Sequence, residues 1–470
     1  MSDLELCYTP ATELARRIRL GELSPVTVIE NSLERIAEVN PKLNCFCFVY
    51  ADEALEKAKA AETAVKKGQP LGPLHGVPIA IKDLTPTKGK RTTLGSYAYE
   101  HNVPTEDATI VEALLNAGAI MVGKTTTPEF AYSSFTRSPL WGVTGNPWDS
   151  TRTPGGSSGG SAAAVTTGCV PLAEGSDMGG SVRIPAALCG IVGLKPSFGR
   201  IPFAILPSQF DQLSHFGPLA RTVSDAALFL KVTQGPDERD IQSLKPALDI
   251  ALPVPTSVKG LRLAYSPDFG RYAVDPEVAA NLAASIEALA QAGATIEEVK
   301  LDWGYELNEA WWKHWCVYLA AFFGHVLPEY RAKMDPAVVT LIETGLAMSA
   351  MEFKRLEFIR TEQWKQLSPI LQRCDALLCP TMALPAVSND TNDEDYFWTD
   401  GDGRFHGFDM TAVLNFVSQC PALSVPSGFT KAGLPTATQI VARRFDDLMA
   451  LRIGAALEAA RPWASRRPPL

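Results

Sequence analysis

The chain reads Pro154-Gly155-Gly156-Ser157-Ser158-Gly159-Gly160-Ser161 and, a few residues later, Gly175-Ser176-Asp177-Met178-Gly179-Gly180-Ser181-Val182-Arg183-Ile184-Pro185. Glycine loses more backbone entropy on folding than other residues, so two Gly-Gly-Ser loops indicate a backbone that approaches something closely or adopts unusual angles. Each loop ends in hydroxyl groups and leads into a helix-like stretch, over 161–165 and 182–188. Helix N-termini offer unpaired N–H groups suited to an anion, including an oxyanion formed during a reaction. The two loops therefore point to acyl-transfer chemistry.

Composition limits the classes of partner. The 470 residues are 46% apolar and 20% charged, which is typical of a globular protein with a large core. The formal net charge of −9, without a long basic run, argues against nucleic acid as a partner. No apolar run approaches the roughly 20 residues of a membrane helix, and the acidic N-terminus lacks the features of a signal peptide. We expect a cytoplasmic protein that acts on a small molecule, without a membrane partner.

Cysteine and histidine spacing gives no indication of a metal site. The nine cysteines are scattered without a Cys-x-x-Cys pair, and the six histidines include no His-x-x-x-His pair. An odd number of dispersed cysteines is typical of reduced thiols. Zinc sites need closely spaced ligands of these types. We therefore expect no metal ion and no cofactor.

The pattern of apolar residues predicts an α/β fold. Short apolar strands alternate with helices, and no linker or repeat interrupts them, which favours a single domain with a largely covered sheet. The predicted strands span 76–82, 119–122, 261–265, 295–299, 375–379, 423–425 and 437–441. The predicted helices span 24–39, 52–65, 108–117, 276–292 and 446–460, and a tryptophan-rich helical region covers about 305–373.

Two further motifs match known sequence patterns but lack the structural context that those patterns require. The run from Gly118 to Thr125 fits the P-loop pattern, but the residues between its glycines, Ala-Ile-Met-Val, themselves read as a buried strand. The run from Gly155 to Gly159 fits the nucleophile elbow, which needs an apolar strand directly before it. A polar loop over 146–154 precedes it instead, although His215 and His406 remain formal candidates for a base. Neither motif is supported by its context.

Lys82 offers a base that needs no histidine. It ends the apolar strand over 77–81, and burial there would lower the pKa of its amine from about 10.4 towards neutrality. A neutral lysine can accept the proton of an attacking serine. The alternatives are that Lys82 extends its amine to water or pairs with Asp83.

Taken together, these segments resemble the amidase signature family, the Ser–cisSer–Lys amide hydrolases. The resemblance is carried by both serine loops and by the stretches over 76–83, 123–130, 146–148 and 189–196, with weaker similarity along almost the whole chain. It implies one amidase signature domain over 1–470, with a signature core at about 70–220 and a helical substrate-pocket region at about 300–373. The implied fold is a mixed, mainly parallel twisted sheet covered by helices on both faces.

The resemblance also implies roles for individual residues. Ser181 matches the nucleophile, Lys82 the base, and Ser157 the serine that follows a cis peptide bond; Ser157 and Ser181 are 24 residues apart, as is usual in the family. The backbone N–H groups of four residues match the oxyanion hole: Met178, Gly179, Gly180 and Ser181. Supporting roles are expected for Ser158 and Ser176, and for Asp177 with Arg183, which should form a hydrogen-bonded ion pair beside the loop.

The substrate is less well defined than the reaction. Trp311, Trp315 and Phe322 fall on one helical face, which indicates either an aromatic pocket for bulky acyl groups or ordinary core packing. Family members act on amides, and some resemble urethanases that cleave carbamates; aryl esters are a further option. The alternatives are the A-type component of a glutamine-hydrolysing amidotransferase with partner chains, whose Glu-Ala-Ser-Ser-Asn-Leu stretch is missing here, and an inactive binding protein. The stand-alone enzyme would be a monomer or homodimer, and the polar loop over 388–407 is a candidate lid.

Overall fold

The computed structural model describes residues 1–470 as fourteen α-helices and fifteen β-strands. The strands are β1 Phe46–Val49, β2 Pro78–Lys82, β3 Ile120–Thr125, β4 Arg137–Ser138, β5 Gly142–Val143, β6 Leu172–Asp177, β7 Val192–Lys195, β8 His215–Ala220, β9 Arg262–Tyr265, β10 Thr295–Glu298, β11 Ala376–Pro380, β12 Phe397–Thr399, β13 Phe405–Gly407, β14 Ala422–Phe429 and β15 Pro435–Ala442.

The helices are α1 Leu4–Cys7, α2 Ala11–Arg19, α3 Pro25–Leu43, α4 Ala51–Lys66, α5 Thr109–Asn116, α6 Gly159–Thr166, α7 Arg183–Cys189, α8 Val223–Thr233, α9 Pro276–Gln291, α10 Tyr305–Phe323, α11 Leu327–Tyr330, α12 Pro336–Ala347, α13 Ala350–Arg373 and α14 Asp447–Ala460. None of them combines the length and the apolarity needed to span a membrane.

An eleven-stranded mixed sheet organises the molecule, in the order β1-β3-β2-β6-β8-β7-β14-β15-β11-β9-β10. Parallel pairing joins β2 to β3 and β6, and β9 to β10 and β11. The other neighbouring pairs are antiparallel, so parallel pairs form a smaller share of the sheet than expected. The α/β fold with a mixed sheet between helices is confirmed.

Helices cover both faces of the sheet. The side chains of each strand alternate between the two faces, so both faces present apolar groups to be buried. In β2, Ile79 and Ile81 pack in one hydrophobic cluster with α2, α5 and α8, whereas Ala80 packs in another with α3, α4 and α6. A third cluster joins α10 and α13 to β11 and β15. This double burial explains why the strands read as continuous apolar runs.

Local sequence rules account for several helix boundaries. Ser24 caps α3 by accepting a hydrogen bond from the Val26 N–H, and Pro25 occupies the first turn, as the sequence predicted. The P-loop-like run contains β3, all of whose residues are buried. The segment over 388–407 differs from the predicted irregular loop, since β12 and β13 pair within it as a two-stranded hairpin.

Candidate active site

The candidate site lies where three neighbouring parallel strands end. Lys82 is the last residue of β2, Thr125 ends β3, and Asp177 ends β6. Carboxyl ends of parallel strands meet at one edge of a sheet, where ligands of α/β proteins commonly bind. The two Gly-Ser loops lead from this edge into α6 and α7, so that residues distant in sequence converge there.

Lys82 contacts both serine loops. Its Nζ donates to Ser157 Oγ at 2.6 Å and to Ser176 Oγ at 3.0 Å. Lys82 and Ser157 are fully buried. Burial lowers the pKa of Lys82 to about 7, although the Glu174 and Asp177 carboxylates oppose the shift. The amine is therefore partly neutral near pH 7 and can accept a proton there.

Ser157 and Ser181 open into the same cavity, and the Gly156–Ser157 peptide bond is cis. The two loops also touch through their backbones, because the Ser158 N–H donates to the Ser181 carbonyl oxygen at 3.2 Å. Ser181 precedes α7 and is only partly buried, unlike Ser157. Ser181 is thus partly exposed where it lines the cavity, whereas Ser157 is enclosed beside Lys82.

The backbone amides of the second loop divide into two groups. The Gly180 N–H donates to Asp177 Oδ1 at 2.9 Å, so this amide, expected in the oxyanion hole, is already engaged. Its orientation follows from the loop, which turns at Gly180 with φ +122, a value that favours glycine. The N–H groups of Met178, Gly179 and Ser181 donate to no other backbone group.

A buried ion pair holds this loop. Arg183 Nε and Nη2 donate to the two Asp177 carboxylate oxygens, each at 2.9 Å, and both side chains are fully buried. Burial alone would raise the pKa of Asp177, but the Arg183 guanidinium holds it well below its usual range. Asn415 completes the group, accepting from Arg183 at 2.6 Å and donating to Asp177 at 3.0 Å. Bidentate pairs of this kind fix geometry strongly.

Several partners of the site were not identified from the sequence. Glu174, buried in β6, accepts from the Lys82 backbone N–H and from Thr85 Oγ1, each at 2.9 Å, and burial raises its pKa. Asn415 belongs to a segment more than two hundred residues further along the chain. The sequence offered a weak indication of Glu174, because a carboxylate is unusual within an apolar run directly before the loop. It offered no indication of Asn415.

The histidines do not serve these serines. His215 Nδ1 lies 2.8 Å from the Leu213 carbonyl oxygen and 3.2 Å from that of Asp177, and burial lowers its pKa to about 3. His406 Nε2 lies 2.8 Å from Asp400 Oδ2, in the hairpin. Lys124 of the P-loop-like run is buried, and its Nζ donates to the Thr85 carbonyl oxygen at 2.8 Å.

The cavity above the serines has a volume of about 1100 Å³. Its wall is rich in aromatic side chains of α10. They include the three predicted from the sequence, Trp311, Trp315 and Phe322, and also Trp312, Tyr318 and Phe323. Helix α13 contributes no lining residue, so only part of the predicted 300–373 region borders the cavity. From the hairpin segment, Tyr396 and Phe397 line the cavity, whereas Trp398 stacks on His406 with 3.9 Å between ring centroids.

Comparison with known proteins finds relatives along almost the whole chain. Residues 27–451 match the family described as Amidase. The chain is 36% identical to an acylamidase of Rhodococcus erythropolis over 473 residues, covering 100% of this chain and 98% of that protein. The crystal structure of a bacterial aryl acylamidase of the amidase signature family superposes with a TM-score of 0.91 at 31% identity, covering 98% and 99% of the two chains.

The chain therefore belongs to the amidase signature family, whose members include hydrolases of carbon–nitrogen bonds. It is also 35% identical to the A-type component of the glutamyl-tRNA(Gln) amidotransferase of Chloroflexus aggregans, with 99% of both chains covered. Family membership and the acylamidase relatives support an amidase, and the choice among substrates depends on the cavity.

Proposed function

We propose that this protein is a stand-alone hydrolase of amides with bulky apolar or aryl groups, and that Ser181, Ser157 and Lys82 carry out the reaction. The observation that carries the proposal is the hydrogen bond of 2.6 Å between buried Lys82 and buried Ser157, beneath a cavity rich in aromatic residues. A buried amine near neutrality next to a serine hydroxyl is the arrangement that activates a serine nucleophile without histidine.

The reaction proceeds through an acyl-enzyme. Ser181 Oγ bonds to the substrate carbonyl carbon while its proton passes to Ser157 Oγ, and the Ser157 proton passes to neutral Lys82 Nζ. The carbonyl oxygen becomes an oxyanion, which accepts hydrogen bonds from the free loop amides; removing one such donor costs about 3 kcal/mol in other enzymes. The C–N bond then breaks as a proton returns through Ser157 to the leaving nitrogen. Water cleaves the Ser181 ester by the same proton route.

The cavity supports an apolar acyl or aryl group as the recognised part of the substrate. Its α10 wall presents several aromatic rings, and Trp311 stacks against Trp315 with 6.1 Å between ring centroids. Aromatic walls favour apolar ligands through burial of surface area. Aryl esters and aryl carbamates place a similar carbonyl beside a good leaving group, so the same site should accept them too.

A substrate panel tests the proposal. Wild type and Ser181→Ala are compared on anilides, aryl carbamates, aryl esters, small aliphatic amides and glutamine. We expect the wild type to cleave the anilides and Ser181→Ala to have no measurable turnover while its circular dichroism spectrum and thermal melt are unchanged. Mass spectrometry after treatment with a fluorophosphonate should find the label on Ser181. Labelling of another residue would falsify the nucleophile assignment.

A second function, that of the A-type component of a glutamine-hydrolysing amidotransferase, is favoured by the identity of 35% with the Chloroflexus aggregans protein. The amide of glutamine needs polar partners, whereas the α10 wall is apolar, which is why we place this function second. Glutamine hydrolysis together with inert anilides, or partner chains that co-purify in fixed stoichiometry, would reverse the order.

A further inference from the structure

The indole of Trp311 touches the oxyanion loop, defined here as residues 178–181, as well as the cavity. Trp311 Nε1 donates to the Met178 carbonyl oxygen at 3.2 Å. That oxygen and the Gly179 N–H belong to one planar trans peptide, in which the C=O and N–H bonds point in opposite directions. The hydrogen bond therefore fixes the rotation of this peptide and directs the Gly179 N–H away from the indole.

Packing reinforces the hydrogen bond. A Cβ atom built on Gly179 would lie 2.2 Å from Trp311 Cζ2, so the indole ring rests directly on the glycine backbone. The ring is itself supported, since Trp311 stacks on Trp315, whose Nε1 donates to the Tyr132 carbonyl oxygen at 3.0 Å. The peptide plane thus has a rigid surface on one side.

The next peptide is held at both ends by other groups. Thr411 Oγ1 donates to the Gly179 carbonyl oxygen at 2.7 Å, and the Gly180 N–H donates to Asp177 Oδ1 at 2.9 Å. The Met178–Gly179 peptide is held at its carbonyl end by Trp311, and its N–H donates to no other backbone group. The direction of the Gly179 N–H group therefore depends on Trp311.

The geometry points to Trp311 as a positioning residue of the oxyanion hole, in addition to its place in the cavity wall. This inference rests on the proposed function, because it assumes that an oxyanion forms at Ser181. A donor aimed in advance stabilises the transition state without reorganisation, and small displacements of such groups reduce rates strongly.

The test replaces the indole N–H and keeps an aromatic ring. Trp311→Phe removes the donor, and replacement of Trp311 by β-(3-benzothienyl)alanine removes it while keeping the shape of the indole. The matched control is Trp463→Phe, because Trp463 Nε1 also donates to a backbone carbonyl oxygen, that of Arg221 at 3.0 Å, but does not line the cavity. Three quantities are measured: kcat and KM for an anilide, and the rate of Ser181 labelling by a fluorophosphonate.

We expect both Trp311 variants to lose about 10-fold to 100-fold in kcat, with KM changed much less, and to label at a correspondingly lower rate. Trp463→Phe should leave both rates unchanged. An unchanged kcat and labelling rate in the benzothienyl variant, or a change confined to KM, would show that Trp311 is only a wall of the cavity. Labelling does not depend on the substrate chosen, so it tests Trp311 even if the wild type fails to cleave any anilide, a result that would overturn the proposed function instead.

Discussion

Lys82 is held in surroundings that would destabilise an ordinary ammonium group. It is fully buried, and its Nζ donates hydrogen bonds to the hydroxyl groups of Ser157 and Ser176. Burial disfavours the charged form of an amine, and the nearby Glu174 carboxylate moderates the shift. The same side chain would be protonated and inert as a base if it extended to water.

The pH dependence of activity follows from this burial. In the proposed mechanism Lys82 must be neutral to act as the base, so its protonation removes activity. Since burial lowers the pKa of Lys82 to about 7, kcat/KM should fall about tenfold per pH unit below that value and level off above it. The Lys82→Ala variant should have a kcat/KM that is lower by several orders of magnitude and that no longer falls below pH 7. The measurement is kcat/KM for an anilide between pH 5 and pH 9.

Lys124 provides the control for the lysine prediction. It is equally buried near the end of the neighbouring strand, and its Nζ donates to the Thr85 carbonyl oxygen rather than to a serine of the site. The Lys124→Met variant should have a lower unfolding temperature, but its kcat/KM should still fall below about pH 7 as in the wild type. A wild-type profile that is flat between pH 5 and pH 8 would contradict the role of Lys82.

At the level of residues, the sequence could predict partners that recurring motifs bring together, and little else. Lys82, at the end of β2, and Ser157, in a glycine loop, belong to segments that recur together in the family, and the structure places them in contact. Asn415 reaches Asp177 only because a distant segment folds over the β6–α7 loop. The engagement of the Gly180 N–H could not be predicted either, because the direction of a peptide depends on its tertiary contacts.

A buried ion pair joins the two ends of the β6–α7 loop. Breaking a buried pair by removing one charge leaves the other without compensation and costs about 3 to 5 kcal/mol. Asp177→Asn keeps the shape but leaves Arg183 unneutralised, so we expect a loss of that order in the free energy of unfolding and a large loss of kcat. Urea denaturation and anilide turnover measure the two effects.

An ion pair on the surface provides the control for Asp177→Asn. Lys365 and Glu362 pair at 2.7 Å with side chains 65% and 66% exposed, and such pairs contribute about 0 to 1 kcal/mol. Glu362→Gln should therefore leave both stability and turnover close to those of the wild type. If Asp177→Asn were no more destabilising than Glu362→Gln, the Asp177–Arg183 pair would not be what holds the loop.

Elements were predictable where a regular pattern coincided with a boundary residue. Helix α9 begins at Pro276, as expected, and α3 begins after its predicted Ser24 cap. Strand β6 was not predicted, because its sequence, Leu172 to Asp177, contains polar residues and a glycine that the site requires. The β12–β13 hairpin was missed for a related reason: its short strands lie in a polar segment whose pairing depends on tertiary packing.

At the level of the whole molecule, the proposed active site lies between two separate parts of the fold. The strands and glycine loops supply the proposed reacting groups, and α10 with the segment over 388–407 supplies much of the cavity wall. The serine loops were predictable from the motif and the aromatic face of α10 from its spacing, although that spacing left core packing as an alternative. Their meeting across Trp311 and Met178 was not, because it depends on how α10 packs over the edge of the sheet.

The cavity predicts how activity varies with substrate size. Each methylene group buried against apolar walls contributes about 0.8 kcal/mol, which corresponds to roughly a fourfold change in kcat/KM. We expect kcat/KM for N-acyl anilides to rise by about that factor per methylene from acetyl to hexanoyl, since a cavity of about 1100 Å³ holds these groups without crowding. Steady-state rates of aniline release across the series, with glutamine as the polar comparison, measure the trend. Rates that stay level or fall along the series would mean that the acyl chain does not enter the aromatic cavity.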